Sequence, residues 1–401
     1  MGIELNKDQA TALMLIENWW ESGDKQVFEL SGVSGAGKTF LVNYFIDRIG
    51  LDLDDCAFVA FMGKAAMVMA KNGLPAQTIH SLIYDYVKEP ILEENKNGKM
   101  VPVFDEKGHI KCHWTFKKKD ELYNPNLKLI VIDEASMVSE EIALDILSYG
   151  IPVIAMGDLN QLPPVIGNPF FLKTADYHLT QIMRQAEGNP IIYLSQLVLN
   201  NIPLEAGQYG ESIIFNHGTK ITKELLKQND IVLTYSNRMR GAVNDFYREE
   251  FFGRKREDLP KAGERIICRK NNWKRTINRI LYLTNGTAGD IDWIDDDPQK
   301  PGQMTIDFHP DFVPKGKRFK NLVIDLDYLQ MDPGEPDPHQ FNYLNKFEYA
   351  YAITTHLSQG SQYNRVLIIN EKRFETFPHN LYKKLQYTAI TRAIDKVTII
   401  L

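Results

Sequence analysis

Cysteine is scarce in this 401-residue sequence, and its spacing argues against two kinds of stabilised domain. The three cysteines, Cys56, Cys112 and Cys268, form no C-x-x-C pair, so neither a disulfide framework nor a thiolate zinc site is indicated. We interpret them as ordinary thiols in a reducing compartment. The first residues lack a signal peptide, and no apolar run is long enough to cross a membrane. We therefore expect a cytoplasmic protein without membrane contact.

The sequence also lacks an excess of basic residues, because its formal net charge is −6. A strongly basic balance would have indicated nucleic-acid binding, but a basic groove can exist on an acidic protein. The segment 265–279 has this local character, with six Lys or Arg residues and no acidic residue. Net charge therefore does not decide whether the chain binds nucleic acid.

Short apolar runs, each followed by polar residues, recur along the chain. Several are separated by amphipathic helical patterns, and this alternation indicates parallel sheets covered on both faces. With 44% hydrophobic residues, the chain can form two or more cores. We therefore predict an α/β protein with two parallel-sheet domains. The runs are 26–30, 57–61, 127–133, 151–158, 230–237, 365–369 and 396–401.

Two regions interrupt this alternation. Residues 82–125 are rich in Lys, Glu, Asp and Asn and contain the turn signals ENKNGK and DEKGH, which predict a small hairpin insertion. Residues 256–342 contain Gly, Pro and Asp clusters between segments of alternating polarity, which predict a β-rich insertion.

The segment GVSGAGKT, from Gly32 to Thr39, matches the full P-loop pattern G-x-x-x-x-G-K-[ST] between a predicted strand and a predicted helix. Gly32, Gly35 and Gly37 allow backbone N–H groups to turn towards phosphate oxygens, and the helix N-terminus adds its dipole. Lys38 can reach the β- and γ-phosphates, while Thr39 can hold Mg²⁺. A chance glycine-rich turn is the alternative, and the flanking strand and helix argue against it.

A second motif, LIVIDEAS, places Asp133 and Glu134 at the end of a predicted buried strand. Asp133 would bind Mg²⁺, and Glu134 would polarise the attacking water. An exposed acidic loop is the alternative, but the P-loop upstream favours the catalytic interpretation. The two motifs predict hydrolysis of a nucleoside triphosphate and do not say what the hydrolysis drives.

Further motifs follow in order: GDLNQLPPV at 157–165, LTQIMRQ at 179–185, THLSQGSQ at 355–362 and YTAITRA at 387–393. With these spacings the chain resembles superfamily 1 helicases, and most of all the 5′-to-3′ group (superfamily 1B) that includes RecD and the phage helicase Dda. The resemblance implies ATP and Mg²⁺ as cofactors, and single-stranded DNA and tailed duplex DNA as partners. It also implies a monomer in the nucleoid or host-cell cytoplasm. RNA remains a possible bound strand, because neutral phosphate contacts do not identify the sugar.

The resemblance further implies two RecA-like domains with one insertion each. The expected boundaries are 1–81 and 126–178 for domain 1A, 82–125 for insertion 1B with a pin-like hairpin, 179–255 and 343–401 for domain 2A, and 256–342 for an SH3-like insertion 2B. Phe104 or Trp114 would then meet the end base pair of a duplex. Alternatively, these two residues form the small core of insertion 1B, and this second interpretation is the one that we favour from sequence.

Residues of both domains would meet the nucleotide if the resemblance holds. Gln9 is expected to recognise adenine, unless it is a solvated glutamine at a helix start, and Gln161 is expected to sense the γ-phosphate. Arg184 and Arg392 resemble two arginines that the second domain directs at the γ-phosphate; surface ion pairs are the alternative. The other expected nucleotide contacts are Phe40, Gln359, Gly360 and Gln362. Gln362 stands where the family commonly has Glu, so a charge-assisted hydrogen bond would become a neutral one.

The expected nucleic-acid contacts are mostly small hydroxyl, amide and glycine positions, which suit phosphates read without sequence preference. They are Gly63, Lys64, Thr78, His80, Asn237, Arg240, Thr354, His356 and Ser358. Leu357 stands where the family commonly has Lys, so one phosphate contact would be missing. Trp273, flanked by Lys and Arg residues, is a candidate for base stacking and equally for anchoring the β-rich insertion.

Two other functions remain compatible with the motifs. A P-loop kinase that acts on a small acceptor would not need Arg184 and Arg392 on a second domain. A nucleotide-switched binding module would bind DNA without displacing a strand. Activity on tailed duplexes separates these functions from that of a helicase.

Overall fold

A computed structural model describes residues 5–33, 35–71, 73–95, 98–104, 108–163, 169–181, 188–277, 281–295, 300–311, 313–337 and 344–401. Within them the helices are α1 (Lys7–Ser22), α2 (Lys38–Ile49), α3 (Gly63–Lys71), α4 (Ile79–Ile83), α5 (Glu140–Leu147), α6 (Pro190–Leu199), α7 (Lys223–Lys227), α8 (Asn237–Phe252), α9 (Leu326–Gln330) and α10 (His379–Ile390). The strands are β1 (Val27–Gly32), β2 (Cys56–Ala60), β3 (Ala76–Thr78), β4 (Tyr84–Pro90), β5 (Leu92–Glu94), β6 (Met100–Pro102), β7 (Cys112–Lys118), β8 (Leu129–Asp133), β9 (Val153–Gly157), β10 (Tyr177–Leu179), β11 (Gly207–Tyr209), β12 (Ser212–Phe215), β13 (Ile231–Thr234), β14 (Arg265–Cys268), β15 (Asn272–Ile277), β16 (Leu281–Leu283), β17 (Ala288–Ile294), β18 (Gln303–Pro310), β19 (Phe319–Asp325), β20 (Phe347–Tyr349), β21 (Ala352–Thr354), β22 (Tyr363–Ile369) and β23 (Ala393–Ile400).

Domain 1A is built on a sheet with the strand order β10-β1-β9-β8-β2-β3, in which every neighbouring pair is parallel. Strands β8 and β9 are apolar along almost their whole length because helices and loops cover both faces of the sheet. One face packs against Ile16 of α1 and Phe45 of α2, and the other against Ile146 of α5 and Phe171. The carboxyl ends of these strands therefore share one edge of the sheet.

Domain 2A is built on a sheet with the order β11-β12-β23-β22-β13-β21, parallel except for the β11–β12 pair. Helices α6 and α10 cover one face through residues such as Leu194 and Leu385. Helices α7 and α8 cover the other through Leu226 and Val243. Two parallel sheets with helices on both faces confirm the predicted α/β class.

The two predicted insertions are also present. Strands β4 and β7 pair along seven residues to form an antiparallel arm, which β5 and β6 continue. Insertion 2B contains the antiparallel sheet β19-β18-β17-β14-β20, whose strand β18 alternates buried and half-buried residues as a one-sided sheet requires. The predicted boundary at 342/343 is wrong in one respect, because Phe347–Tyr349 pairs with β14 and so belongs to this sheet rather than to domain 2A. The other boundaries stay predictions.

Candidate nucleotide site

The P-loop lies between the end of β1 and the start of α2. Gly35 and Gly37 both have a φ of +82°, a left-handed conformation that glycine adopts without steric cost. A Cβ atom on Gly32 would lie 2.9 Å from the Cβ of Leu179, so β10 leaves no room for a side chain at this position. The Lys38 ammonium folds over the loop and donates to the Gly32 carbonyl at 2.6 Å. The loop therefore has the shape of a phosphate cradle with its lysine at the mouth.

Asp133 is the last residue of β8, and Glu134 follows it at the same edge of the sheet. Burial raises the pKa of Asp133, although the Lys38 ammonium and the Glu134 backbone N–H, 2.9 Å from Asp133 Oδ1, oppose this shift. Burial also raises the pKa of Glu134, and the positive charge of Arg392 is the strongest influence against that shift. Glu134 has a φ of +51°, which is uncommon for a residue with a Cβ atom and typical of functional sites. The two carboxylates thus face cations from both parallel-sheet domains.

These elements form one wall of a cleft between domains 1A and 2A, with a volume of about 370 Å³. Arg392 lies in the opposite wall and is only 3% exposed. Its guanidinium donates to the carbonyl oxygens of Ser361 and Thr388, each at 3.2 Å, which fixes its direction. The predicted site residues that line this cleft are Gln9, Gly35, Gly37, Lys38, Thr39, Phe40, Asp133, Glu134, Gln161, Gly360, Gln362 and Arg392.

Gln9 is fully buried, so it is not a solvated glutamine at a helix start. Its backbone N–H donates to Asn6 Oδ1 at 2.8 Å, and its Oε1 accepts from the Asn6 backbone at 3.3 Å, which together form a capping box for α1. Its Nε2 donates to the Ala36 carbonyl at 3.4 Å. Gln9 therefore braces the P-loop from the side of α1, and its contact with adenine stays a prediction.

Gln161 and Gln359 differ in their placement. Gln161 lines the cleft, and its buried Oε1 has no hydrogen-bond partner among the described residues, so a bound water or phosphate oxygen would complete its environment. Gln359 does not line the cleft, because its Nε2 donates to the Leu162 carbonyl at 2.8 Å across the domain boundary. Its Nε2 is thus used between the domains, and a direct nucleotide contact of Gln359 stays a prediction. Arg184 lies outside the described residues.

Gly63 and Lys64, at the start of α3, lie where three domains meet. A Cβ atom on Gly63 would lie 2.8 Å from Thr284 Oγ1 of insertion 2B. The Lys64 ammonium donates to the Tyr363 hydroxyl of domain 2A at 3.2 Å and lies 4.7 Å from the centre of its ring. A DNA contact by Lys64 would thus depend on how these domains are arranged.

Thr78 and His80 mark the start of α4. The Thr78 hydroxyl oxygen accepts from the Ser81 backbone N–H at 3.1 Å as the helix N-cap. His80 is surrounded by aromatic rings and burial lowers its pKa, so it is neutral at physiological pH. The rings that contact it are Phe61, Tyr84, Phe116 and Trp273.

The candidates in domain 2A divide into accessible and inaccessible residues. Asn237 is exposed at the start of α8, whereas Thr354 is buried and His356 is half-buried, with its pKa lowered by burial. Arg240 and Ser358 are wrong as direct nucleic-acid contacts. The Arg240 guanidinium is buried in an ion pair with Glu348, and the fully buried Ser358 hydroxyl donates to the Thr355 carbonyl at 2.7 Å.

Trp273 joins insertion 2B to the arm. Its ring centre lies 5.4 Å from that of Phe116 on β7 and 5.6 Å from that of Tyr282 on β16, so the anchoring interpretation is favoured over base stacking. Phe104 is 56% exposed and pairs through a β-bridge with Ile110, which is also exposed. Phe104 therefore does not form a small buried core, contrary to the favoured expectation. The side chain of Trp114 lies outside the described residues.

Asp158 and Tyr387 are site residues that the sequence interpretation missed. Asp158 follows β9 at the same edge as Asp133 and lines the cleft, and Tyr387 donates to its Oδ2 at 2.7 Å. The position of Asp158 at a strand end, within the same motif as Gln161, was the available signal.

The residues present fit a magnesium nucleotide. Thr39 and Asp133 both line the cleft, and Mg²⁺ commonly takes only one or two protein ligands, with water and phosphate oxygens completing its shell. The described ranges contain no group of three or more His, Cys, Asp or Glu side chains that could hold a metal without such help. Across the same ranges, every helix is too short or too polar to span a membrane.

Comparison with known proteins agrees with this geometry. A family model described as an AAA domain matches residues 4–211, just over half of the chain, and one described as a UvrD-like helicase C-terminal domain matches residues 349–400. An uncharacterised protein of Methanocaldococcus jannaschii is 24% identical, covering 92% of this chain and 36% of that protein. The ATP-dependent RecD2 DNA helicase of Deinococcus radiodurans is also 24% identical, covering 92% of this chain and 46% of that protein. The chain thus spans about a third to a half of the length of these curated relatives.

Solved structures show the same fold. A Pif1 helicase from work on DNA unwinding at forked double-stranded DNA aligns with a TM-score of 0.53 and 19% identity, covering 99% of this chain and 92% of that one. Bacteroides Pif1 bound to single-stranded DNA aligns with a TM-score of 0.51 and 18% identity, with the same coverage. Fold and cleft together define a P-loop protein with two RecA-like domains. The chain belongs to the AAA-domain family, and it is similar to the RecD2 and Pif1 helicases.

Proposed function

We propose that this protein is an ATP-dependent DNA helicase that moves 5′-to-3′ along single-stranded DNA and unwinds duplexes with a 5′ tail. The observation that carries the proposal is the cleft, in which the P-loop and acid pair of domain 1A face Arg392 of domain 2A. A relative named as an ATP-dependent DNA helicase and a structural neighbour solved with single-stranded DNA support it. The P-loop, acid pair and Arg392 come from one chain, which favours a monomer as the working unit, and we place it in the cytoplasm.

Each cleft residue has a role in ATP hydrolysis that follows from its chemistry. Lys38 and the P-loop N–H groups hold the β- and γ-phosphates. Thr39 and Asp133 would hold Mg²⁺, which when bound neutralises charge on the phosphate oxygens. Glu134 accepts a proton from the attacking water once its carboxyl is ionised. Arg392 stabilises the charge that develops during transfer, a contribution that is worth about 10³-fold or more in comparable enzymes.

Hydrolysis can drive movement because the cleft lies between two domains. ATP contacts both walls and draws domains 1A and 2A together, and loss of the γ-phosphate lets them separate. The proposed DNA contacts are distributed over the same two domains, with Thr78 in domain 1A and Asn237 in domain 2A. Alternating closure and opening would then move a single strand in one direction.

Tailed duplexes of both polarities test this proposal. We expect ATP turnover to be strongly stimulated by single-stranded DNA, and we expect a duplex with a 5′ tail, but not one with a 3′ tail, to be unwound. Lys38→Ala should abolish turnover and unwinding while the protein still melts cooperatively, because the phosphate contact is lost and, within the protein, the ammonium donates only to carbonyl groups of the P-loop among the described residues. The same assays with single-stranded RNA decide whether the protein is specific for DNA.

Each opposite result identifies a different error. Unwinding from a 3′ tail alone would overturn the direction. Phosphoryl transfer to a small acceptor, independent of DNA, would instead indicate a P-loop kinase. ATP-dependent DNA affinity without strand displacement would indicate a nucleotide-switched binding module.

A further inference from the structure

The loop of residues 158–162 follows β9 and so belongs to domain 1A along the chain, but one of its ends is fixed to domain 2A. Leu162 is fully buried and packs in the core between the second sheet and helices α6 and α10. Its backbone N–H donates to Thr388 Oγ1 at 3.0 Å, and its carbonyl accepts from Gln359 Nε2 at 2.8 Å. This end of the loop would have to break both bonds to follow domain 1A.

The other end of the loop is held by the same helix. Asp158 is 1% exposed and accepts a hydrogen bond from the Tyr387 hydroxyl at 2.7 Å. The Leu159 carbonyl accepts from Lys384 Nζ at 2.9 Å. The Asp158 carbonyl in turn accepts from the Gln161 backbone N–H at 3.1 Å and closes the turn that carries Gln161. The orientation of Gln161 therefore depends on the position of Asp158.

Helix α10 places these anchors beside Arg392. Tyr387 and Thr388 lie three and four residues after Lys384, so both side chains neighbour Lys384 on the same side of the helix. Arg392 follows two residues after the helix ends, and its Nε donates back to the Thr388 carbonyl at 3.2 Å. The last part of α10 thus carries the hydroxyl groups that hold the loop, and the arginine of the cleft follows directly after the helix.

We propose that Gln161 and Arg392 approach the γ-phosphate as a single unit mounted on α10, and that Tyr387 is the positioning residue that holds Gln161 in this unit. The inference rests on the proposed ATP hydrolysis. Two groups on separate domains would have to be aligned independently at each closure, whereas a joined pair is aligned by one movement. The buried Oε1 of Gln161, which has no partner within the part of the chain that the structure describes, fits this arrangement, because it is kept in place ahead of the water or phosphate that it meets.

Tyr387→Phe tests the inference, because it removes the hydroxyl group and retains the ring. We expect kcat for DNA-stimulated ATP hydrolysis to fall about tenfold, the effect of losing one hydrogen bond to a charged group at a catalytic step. The KM for ATP and the affinity for single-stranded DNA should stay unchanged, because Tyr387 is assigned no contact with nucleotide phosphates or DNA. Tyr382→Phe is the matched control on the same helix: its hydroxyl donates to Asn370 Oδ1 at 2.9 Å, and wild-type kcat is expected.

A double variant separates positioning from general damage. If Tyr387 acts through Gln161, then Gln161→Ala with Tyr387→Phe should have the kcat of Gln161→Ala alone, because the two residues act as one unit. Independent, multiplicative losses, or wild-type kcat in Tyr387→Phe, would overturn the inference. A wild-type protein that hydrolyses no ATP with any nucleic acid would refute the proposed function, and the inference with it.

Discussion

Replacing Arg248 with methionine should destabilise the junction between domain 2A and insertion 2B. Arg248 lies in α8 and is fully buried; its Nε donates to Glu264 Oε1 at 2.6 Å, and its Nη2 lies 3.3 Å from Glu264 Oε2. The guanidinium also donates to the carbonyl oxygens of residues 255, 256, 258 and 259 and lies 4.0 Å from the centre of the Tyr349 ring. This one side chain therefore holds together the segment that leads from α8 into the insertion.

The size of the effect follows from what the substitution leaves behind. Methionine fills a similar volume, but among the described residues it leaves the buried Glu264 carboxylate with one hydrogen bond, from the backbone N–H of Lys261 at 2.8 Å. Removing one partner of a buried ion pair costs about 3–5 kcal/mol. Because a domain is stable by only about 5–15 kcal/mol, this is a large fraction of the free energy of unfolding.

Urea unfolding of the Arg248→Met variant, followed by fluorescence and by limited proteolysis of the 253–264 segment, measures this loss. Arg365→Met is the matched control: Arg365 is 48% exposed and pairs with Asp230, so its loss should cost less than about 1 kcal/mol. Adding Glu264→Leu to Arg248→Met should recover much of the stability, because the unpaired charge is removed. Equal losses in Arg248→Met and Arg365→Met would refute the reasoning.

Two further predictions concern turnover and unwinding. As the pH decreases, the kcat/KM for ATP should begin to fall at a higher pH than it would with an ordinary glutamate. The reason is that burial raises the pKa of Glu134, and only the ionised form of Glu134 accepts a proton. ATP binding measured over the same pH range is the control, and a profile that stays flat down to the usual pKa of glutamate would contradict the role of Glu134. Trp273→Ala removes aromatic contacts between insertion 2B and the arm, each worth about 0.5–1.5 kcal/mol, so unwinding should fall more than DNA-stimulated ATP turnover. Trp293→Ala, at an exposed position on β17, is its control. If the two variants lose unwinding and ATP turnover to the same extent, Trp273 has no anchoring role.

The nucleotide cleft could be predicted from sequence because its residues stand at strand ends. Lys38, Asp133 and Gln161 each follow a buried apolar strand of domain 1A, and the carboxyl ends of parallel strands meet at one edge of a sheet. Local patterns of this kind can be recognised in short stretches of the sequence. The position of Arg392 came instead from the order of the motifs, since no local pattern shows which domain it faces.

Burial of single polar residues could not be predicted in the same way. Arg240 and Ser358 have side chains that suit phosphate, yet a partner 108 residues further along the chain takes the first, and the carbonyl of its own turn takes the second. The Nε2 of Gln359 donates to Leu162, which precedes it by 197 residues, and no local pattern indicates this pairing. A sequence gives the hydrogen-bonding capacity of a side chain, but the fold decides which partner uses it.

The segment 354–362 shows what these buried polar groups contribute. Gly360 has a φ of +67°, and a Cβ atom there would lie 3.3 Å from the Cβ of Ala65, so this glycine lets domain 2A approach α3 closely. The next residue, Ser361, accepts a hydrogen bond from Arg392, while the proposed DNA contact His356 lies a few residues earlier. A flexible segment would absorb a movement at one end before it reached the other. The Ser358 hydroxyl is bonded inside the turn to the Thr355 carbonyl, so it helps to hold this segment in one conformation.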